Sequence, residues 1–155
     1  MTELSDLLVP EAVVAGMGAA SKKALFQQLG AAAARAYGLD AGEVAMRLAE
    51  REKLGSTGFG GGIAIPHGKL DGLKRVCGIF ARLTKPVDFG AVDDMPVDLV
   101  FMLLSPTDAG ALHLKALACV SRKLRDRGFA AKLRGAGSED AVYALLTGVE
   151  ARDAA

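Results

Sequence analysis

Apolar residues first gather in Val13-Val14-Ala15, a brief strand-like run that stops at Gly16. The period then changes. Ala24, Leu25, Leu29, Ala32 and Ala36 recur at helical spacing, with Ser21 at the N-cap position and Gly38 where a helix closes in left-handed backbone. Asp40 caps a second predicted helix through Val44 and Leu48, with Leu54 as a candidate further apolar position. Three β-like runs follow. Ile63-Ala64-Ile65 is closed by Pro66, Val76 to Leu83 places Gly78 and Arg82 between apolar residues, and Val97 to Leu104 is bracketed by Pro96 and Pro106. The last is almost continuously apolar, the pattern of a central strand covered on both faces. Asp108 is expected to cap a long helix to about Arg125. Phe129 to Leu133 reads as a short helical turn, and Ser138 opens a last helix ending near Gly148. Strands alternating with helices predict an α/β domain with a mostly covered sheet. The pattern does not carry the strand order.

At 155 residues the chain has the length of one domain, predicted over residues 4–148 with 149–155 as a C-terminal tail. A composition 51% hydrophobic and 24% charged excludes wholesale disorder, and 5% aromatic residues with no Trp leave Leu, Val, Ile and Ala to build the core. The formal net charge is +1, without the concentrated basic face of a nucleic-acid binder, so no nucleic acid is expected as partner. Cys77 and Cys119 lie far apart in apolar surroundings and read as buried thiols. The segment Met1 to Asp6 lacks the basic and apolar stretches of a signal peptide, and no apolar run approaches the ~20 residues of a membrane helix. A cytoplasmic protein without membrane insertion is the expectation. No His/Cys/Asp/Glu cluster has metal-ligand spacing, so neither a metal nor a cofactor is expected.

The segment Gly55-Ser56-Thr57-Gly58-Phe59-Gly60-Gly61-Gly62 is too glycine-rich for a helix or an ordinary strand. Such a loop lets several backbone N–H groups converge on an anion. It fits neither nucleotide class. Gly68-Lys69 is followed by Leu70 rather than Ser or Thr, with Ile63 where a Walker A loop needs its first glycine, and neither Gly58-x-Gly60 nor Gly60-x-Gly62 has the third glycine of G-x-G-x-x-G.

Behind the loop, Ile63-Ala64-Ile65-Pro66-His67-Gly68 spends one of only two histidines at the end of a short apolar strand. A neutral imidazole can attack phosphorus without a separate base, and Gly68 would leave room for a partner or a phosphoryl group. The alternative is an ordinary loop histidine. The second histidine, His113, shares a helix face with Leu117, Val120 and Leu124 and sits at its N-terminal end. It is either a hydrogen-bonded core residue or an imidazole donating to a phosphoryl oxygen near a helix N-terminus.

The run Arg51-Glu52-Lys53-Leu54-Gly55-Ser56-Thr57-Gly58-Phe59-Gly60 through Ile63-Ala64-Ile65-Pro66-His67-Gly68 resembles the active-site signature of the fructose/mannitol-type enzyme IIA domains of the bacterial phosphotransferase system. Pro96 to Phe101, Ser105-Pro106, His113-Leu114 and Leu117-Ala118 are similar to the family's second signature. The likeness runs from about Leu7 to Leu146 and is nearest the nitrogen-regulatory branch, IIA-Ntr. It implies a mixed sheet of about five strands flanked by helices. It implies that His67 accepts a phosphoryl group at Nε2 from an HPr-like phosphocarrier (NPr in the nitrogen branch), that His113 supports the group, and that Arg51 contacts phosphate. Arg51 read alone fits equally a salt bridge within Glu50-Arg51-Glu52-Lys53.

On that reading, N–H groups around Thr57 and Gly58, with the Ser56 or Thr57 hydroxyls, would stabilise phosphoryl oxygens. Phe59 and Ile63 are candidates for a docking patch, Phe59 equally for the core. Asp88, Asp93 and Asp94 read as a solvated turn, and Asp98 as a structural residue holding the loops. Gly60-Gly61-Gly62 is a fuller glycine run than the family pattern and predicts a looser turn. Two other roles compete with regulation by phosphorylation state: a sugar-specific IIA subunit passing phosphate to a separate IIB protein, and a binding module that has kept the fold alone.

Overall fold

The computed structural model describes residues 2–148, and the predicted tail, residues 149–155, lies outside them. Two 3-10 turns precede β1 (Val13–Met17), α1 (Lys22–Tyr37) and α2 (Ala41–Glu52). Three short strands follow, β2 (Gly58–Gly60), β3 (Ile63–Ala64) and β4 (His67–Leu70), then the long β5 (Cys77–Val87) and β6 (Val97–Pro106). The chain continues as α3 (Ala111–Arg125), α4 (Arg127–Gly135) and α5 (Glu139–Thr147). The helices start where the sequence offers caps: Ser21, Asp40, Asp126 and Ser138 each accept a backbone N–H from the first turn.

The strands form one mixed sheet in the order β1-β5-β6-β3-β2, with β4 also on β6. β1 is parallel to β5, β5 antiparallel to β6, and β3 and β4 parallel to β6. Every residue from Leu99 to Leu104 is fully buried. Since successive strand residues point to opposite faces, both faces of β6 are covered. Each Leu or Phe buried there contributes about 1.5–3 kcal/mol relative to exposure.

Pro66 does not end the pairing, contrary to the sequence expectation. Ile63 pairs with Leu99 and Ala64 with Val100, and the same offset carries His67 opposite Leu103. The Leu103 N–H bridges the gap by donating to the Pro66 carbonyl at 2.9 Å. Proline lacks only the donor, so one sheet position is shared by two strand segments.

Other boundaries also moved. The glycine-rich segment contains a strand, since Gly58 and Gly60 pair with Ala64 and Ile63 through an irregular register. Asp108 does not cap α3. A turn closed by Ala109 N–H to the Pro106 carbonyl comes first, and Gly110, at φ 55°, makes the reversal that a side chain would resist. The turn predicted at Phe129–Leu133 is the middle of α4. Leu54 lies beyond the end of α2 and is 84% exposed. Cys77 and Cys119 are free and buried, and burial pushes the Cys77 thiol up to about 11. Neither is a reactive thiolate.

Candidate active site

His67 opens β4, directly after Pro66, and is half-buried. Its Nδ1 lies 2.9 Å from the Ile65 carbonyl oxygen. A carbonyl only accepts, so the ring proton sits on Nδ1 and the lone pair on Nε2. Arg51, in the last turn of α2, donates Nε–H to that Nε2 at 3.2 Å and Nη1–H to the Gly55 carbonyl at 3.0 Å. What brings helix and strand together is Gly68. It is buried, and a Cβ there would stand 3.2 Å from the Cβ of Arg47. The glycine admits α2 rather than a partner or a phosphoryl group.

His113 lies in the first turn of α3, 7% exposed, with its Nδ1 2.5 Å from the hydroxyl of the fully buried Ser105. The two imidazole centroids are 5.5 Å apart, with the rings tilted at 54°. Both rings line one cleft of about 420 Å³, with Arg47, Arg51, Leu54 and Lys69 around them. Both histidines are held below the ordinary histidine pKa. Burial is the larger cause at His67, with the Arg51 charge adding to it, while the Ile65 carbonyl and Glu52 pull upward. At His113 burial again leads, followed by repulsion from His67 and Lys69.

The glycine-rich turn binds an anion, but the anion is the protein's own. The Thr57 N–H donates to both carboxylate oxygens of Glu52, at 3.1 and 3.2 Å, and the Thr57 hydroxyl adds a bond of 2.6 Å. Lys22 completes the cluster with an ion pair to Glu52 at 2.9 Å. The Gly58 N–H donates to the Ser56 hydroxyl oxygen at 3.1 Å. The predicted convergence of Ser56, Thr57 and Gly58 on a phosphoryl group therefore gives way to internal bonding, and none of the three lines the cleft.

Gly60-Gly61-Gly62 is pinned rather than loose. Asp93 accepts from the Gly61 N–H at 3.0 Å, so it is not a merely solvated turn residue. Arg134 holds the Gly61 carbonyl at 2.8 Å while its guanidinium grips Asp98 at 2.8–3.2 Å. Asp98 thus clamps this turn. The expected docking residues lie elsewhere too. Ile63 is core, and Phe59 lines a separate cleft with the Arg125 guanidinium carbon 5.0 Å from the Phe59 ring centroid. Of the exposed apolar side chains, Leu54 lines the histidine cleft, while Leu112 and Leu114 are the sequence neighbours of His113 on α3.

Sequence reasoning missed Glu52 and Ser105. A carboxylate five residues before Thr57 at a helix end was the available signal for the first. For Ser105 none was available, because its partner is set by the turn into α3.

The family model described as "Phosphoenolpyruvate-dependent sugar phosphotransferase system, EIIA 2" matches residues 6–149. The chain belongs to that EIIA family. Within it, this EIIA chain is of the nitrogen-regulatory type. It is 49% identical over 143 residues to the nitrogen regulatory protein of Bradyrhizobium diazoefficiens, covering 92% of this chain and 94% of that one. The crystal structure of nitrogen regulatory protein IIA-Ntr from Neisseria meningitidis superposes with a TM-score of 0.86 at 39% identity, over 93% of this chain and 99% of the other. IIA mannitol from Escherichia coli follows at a TM-score of 0.75 and 26% identity, over 90% and 98%. Both share the mixed α/β architecture, as the sequence predicted for a single domain flanked by helices.

The EIIA chain is thereby a phosphotransfer component. Among the described residues no helix is long and apolar enough to cross a membrane, and no group of three His, Cys, Asp or Glu side chains could hold a metal ion.

Proposed function

We propose that His67 carries the phosphoryl group, taken in line from the phosphohistidine of an HPr-like donor and later released. The observation that carries this reading is the Ile65 carbonyl on Nδ1, which leaves Nε2 as the nucleophile in an open cleft. In the forward step the donor's P–N bond breaks, and the Nε2–P bond of His67 forms. The donor ring regains its lone pair, and His67 keeps its Nδ1 proton on Ile65, so no base is needed. The loose transition state spreads charge over three oxygens, and positioning with electrostatics does most of the catalysis.

As phosphorus occupies Nε2, the Arg51 Nε–H loses its acceptor there, and the phosphoryl oxygens replace it. His113, on the far side of the cleft, adds a donor. The dianion changes the local charge by about −1.5 to −2, against Arg47, Arg51 and Lys69, and this supports partner choice set by phosphorylation state.

Incubation with phosphoenolpyruvate, enzyme I and its HPr-like carrier should label the wild type and leave His67→Ala blank. Equal labelling of both rejects the assignment. His113→Ala should accept phosphate slowly. The likeness to the mannitol relative keeps the sugar route as a second reading, for which labelled protein should discharge to a IIB partner. Stable label in its presence, with altered binding to regulatory targets, supports the nitrogen route.

A further inference from the structure

We infer that Ser105 is a positioning residue for this transfer: its hydroxyl fixes His113 as the Nε2–H tautomer, so that His113 meets the phosphoryl oxygens as a hydrogen-bond donor. The inference deepens the proposed function and rests on it for its kinetic part only.

The hydroxyl proton of Ser105 needs an acceptor, and the residue is fully buried, away from water. The bond its hydroxyl makes is to His113 Nδ1, at 2.5 Å. If Nδ1 carried a proton and donated to Ser105, the serine's own proton would be stranded in a dry site, costing the desolvation of a buried polar group. If Ser105 donates, both groups are satisfied. An imidazole that accepts at Nδ1 and is neutral carries its proton on Nε2.

Placement supports the same direction. Ser105 lies near the C-terminal end of β6, in register with Lys69 of β4, two residues along from His67. The serine hydroxyl thus reaches His113 from β6, the strand paired with the β4 strand that carries His67, and the ring edge left over faces the cleft both imidazoles line. The two histidines end in opposite tautomers: His67 is proton-bearing at Nδ1 and open at Nε2, and His113 is open at Nδ1 and proton-bearing at Nε2.

Histidine ¹⁵N NMR on the intact chain at pH 7.5, assigned with His67→Ala, reads the tautomer directly. The expected spectrum gives His113 an unprotonated Nδ1 and a protonated Nε2. A neutral ring protonated at Nδ1, or a ring protonated at both nitrogens, overturns the inference whatever becomes of Ser105→Ala as a folded protein. In Ser105→Ala the two His113 nitrogens should move toward averaged shifts, and phosphoryl acceptance should slow roughly 3- to 10-fold, the worth of one net hydrogen bond. Ser105→Thr should restore both. Combined with His113→Ala, Ser105→Ala should add no further slowing; an undiminished effect there would show that the serine acts on the fold and not through His113. Absence of any label on the wild type would reject the phosphocarrier reading, while the NMR result would still decide the tautomer.

Discussion

Arg51 is the residue through which resting geometry and transfer chemistry can be separated. Its Nε–H lies on the His67 lone pair at 3.2 Å, and its Nη1–H is anchored on Gly55. Replacement by Lys keeps the charge but gives up the planar fork. One charge-assisted bond to a phosphoryl oxygen is lost, worth about 1.5–3 kcal/mol. At 1.36 kcal/mol per decade this slows phosphoryl acceptance roughly 10- to 150-fold. Arg51→Gln removes the charge as well, and the loss should reach about 10²–10³, as for a deleted oxyanion donor.

The same pair of variants makes an opposite prediction for the resting histidine. The Arg51 charge is one of the causes holding the His67 pKa down. Arg51→Gln should therefore raise it, though not to the ordinary value, because burial is the larger cause. Arg51→Lys should leave it nearly in place. Rapid-quench transfer from the phosphorylated donor measures the first effect, and an NMR titration of the His67 ring measures the second. Transfer by Arg51→Lys within twofold of wild type would refute the phosphate-fork role. A His67 pKa unmoved in Arg51→Gln would refute the electrostatic part.

Three other perturbations probe the buried polar contacts and the packing of the same arrangement. Glu52, whose side chain is 7% exposed, satisfies the Thr57 N–H and hydroxyl; Glu52→Ala should cost about 2–4 kcal/mol in urea unfolding through the two orphaned donors, with Glu52→Gln losing less. Both histidines have depressed pKa values in the fold, so the unfolded chain binds more protons below its own histidine pKa of about 6.5. Stability should hold above that pH and fall as pH drops through the two folded values, and a His67→Ala/His113→Ala double variant should lose that part of the slope in urea titrations run across the window. A Cβ at Gly78 would run into the Phe101 ring and stand 3.1 Å from the Met102 carbonyl oxygen. Gly78→Ala should therefore destabilise by about 1–3 kcal/mol in thermal melts, with no change in the histidine titrations.

Much of the scaffold is legible in the chain because local physics decides it. Ser21, Asp40 and Ser138 announce helix starts through their own side chains, and the run Val97–Leu104 can be buried on both faces only inside a sheet. Where pairing decides, the local signal misleads. Pro66 looks like an end, yet the β6 register continues past it through the Leu103 amide, and Gly58–Gly60 is recruited as a strand by β3 despite poor strand propensity. For the site, His67 is marked by its Ile-Pro-His setting and His113 by its helical stripe, whereas Arg51 is hidden in a charged run. Glu52 leaves only a faint trace in the sequence, a carboxylate at a helix end five residues before Thr57, and the role of Ser105 leaves none. Their significance lies in which buried donor or lone pair the fold sets opposite them, and neither period nor composition encodes that.

Reversible carriage at His67, as proposed above, would make a demand that the arrangement around this ring answers. A histidine that were protonated at rest could not attack, and one that bonded phosphorus too comfortably would not give it up. Burial and the Arg51 cation keep His67 neutral, so the attacking lone pair is available without a base. The same cation, repelled by an imidazolium, is drawn to the phosphoryl dianion and lowers the energy of the loaded state through its oxygens rather than through the P–N bond. The Ile65 carbonyl holds the Nδ1 proton throughout, so loading and unloading need no proton to enter or leave the cleft. Release then depends on a second partner offering the phosphoryl oxygens a comparable set of donors. On that reading the exposed apolar side chain of Leu54, on the lining of the cleft, serves the chemistry as well as docking, because the acceptor must displace water from the cleft before those donors can compete.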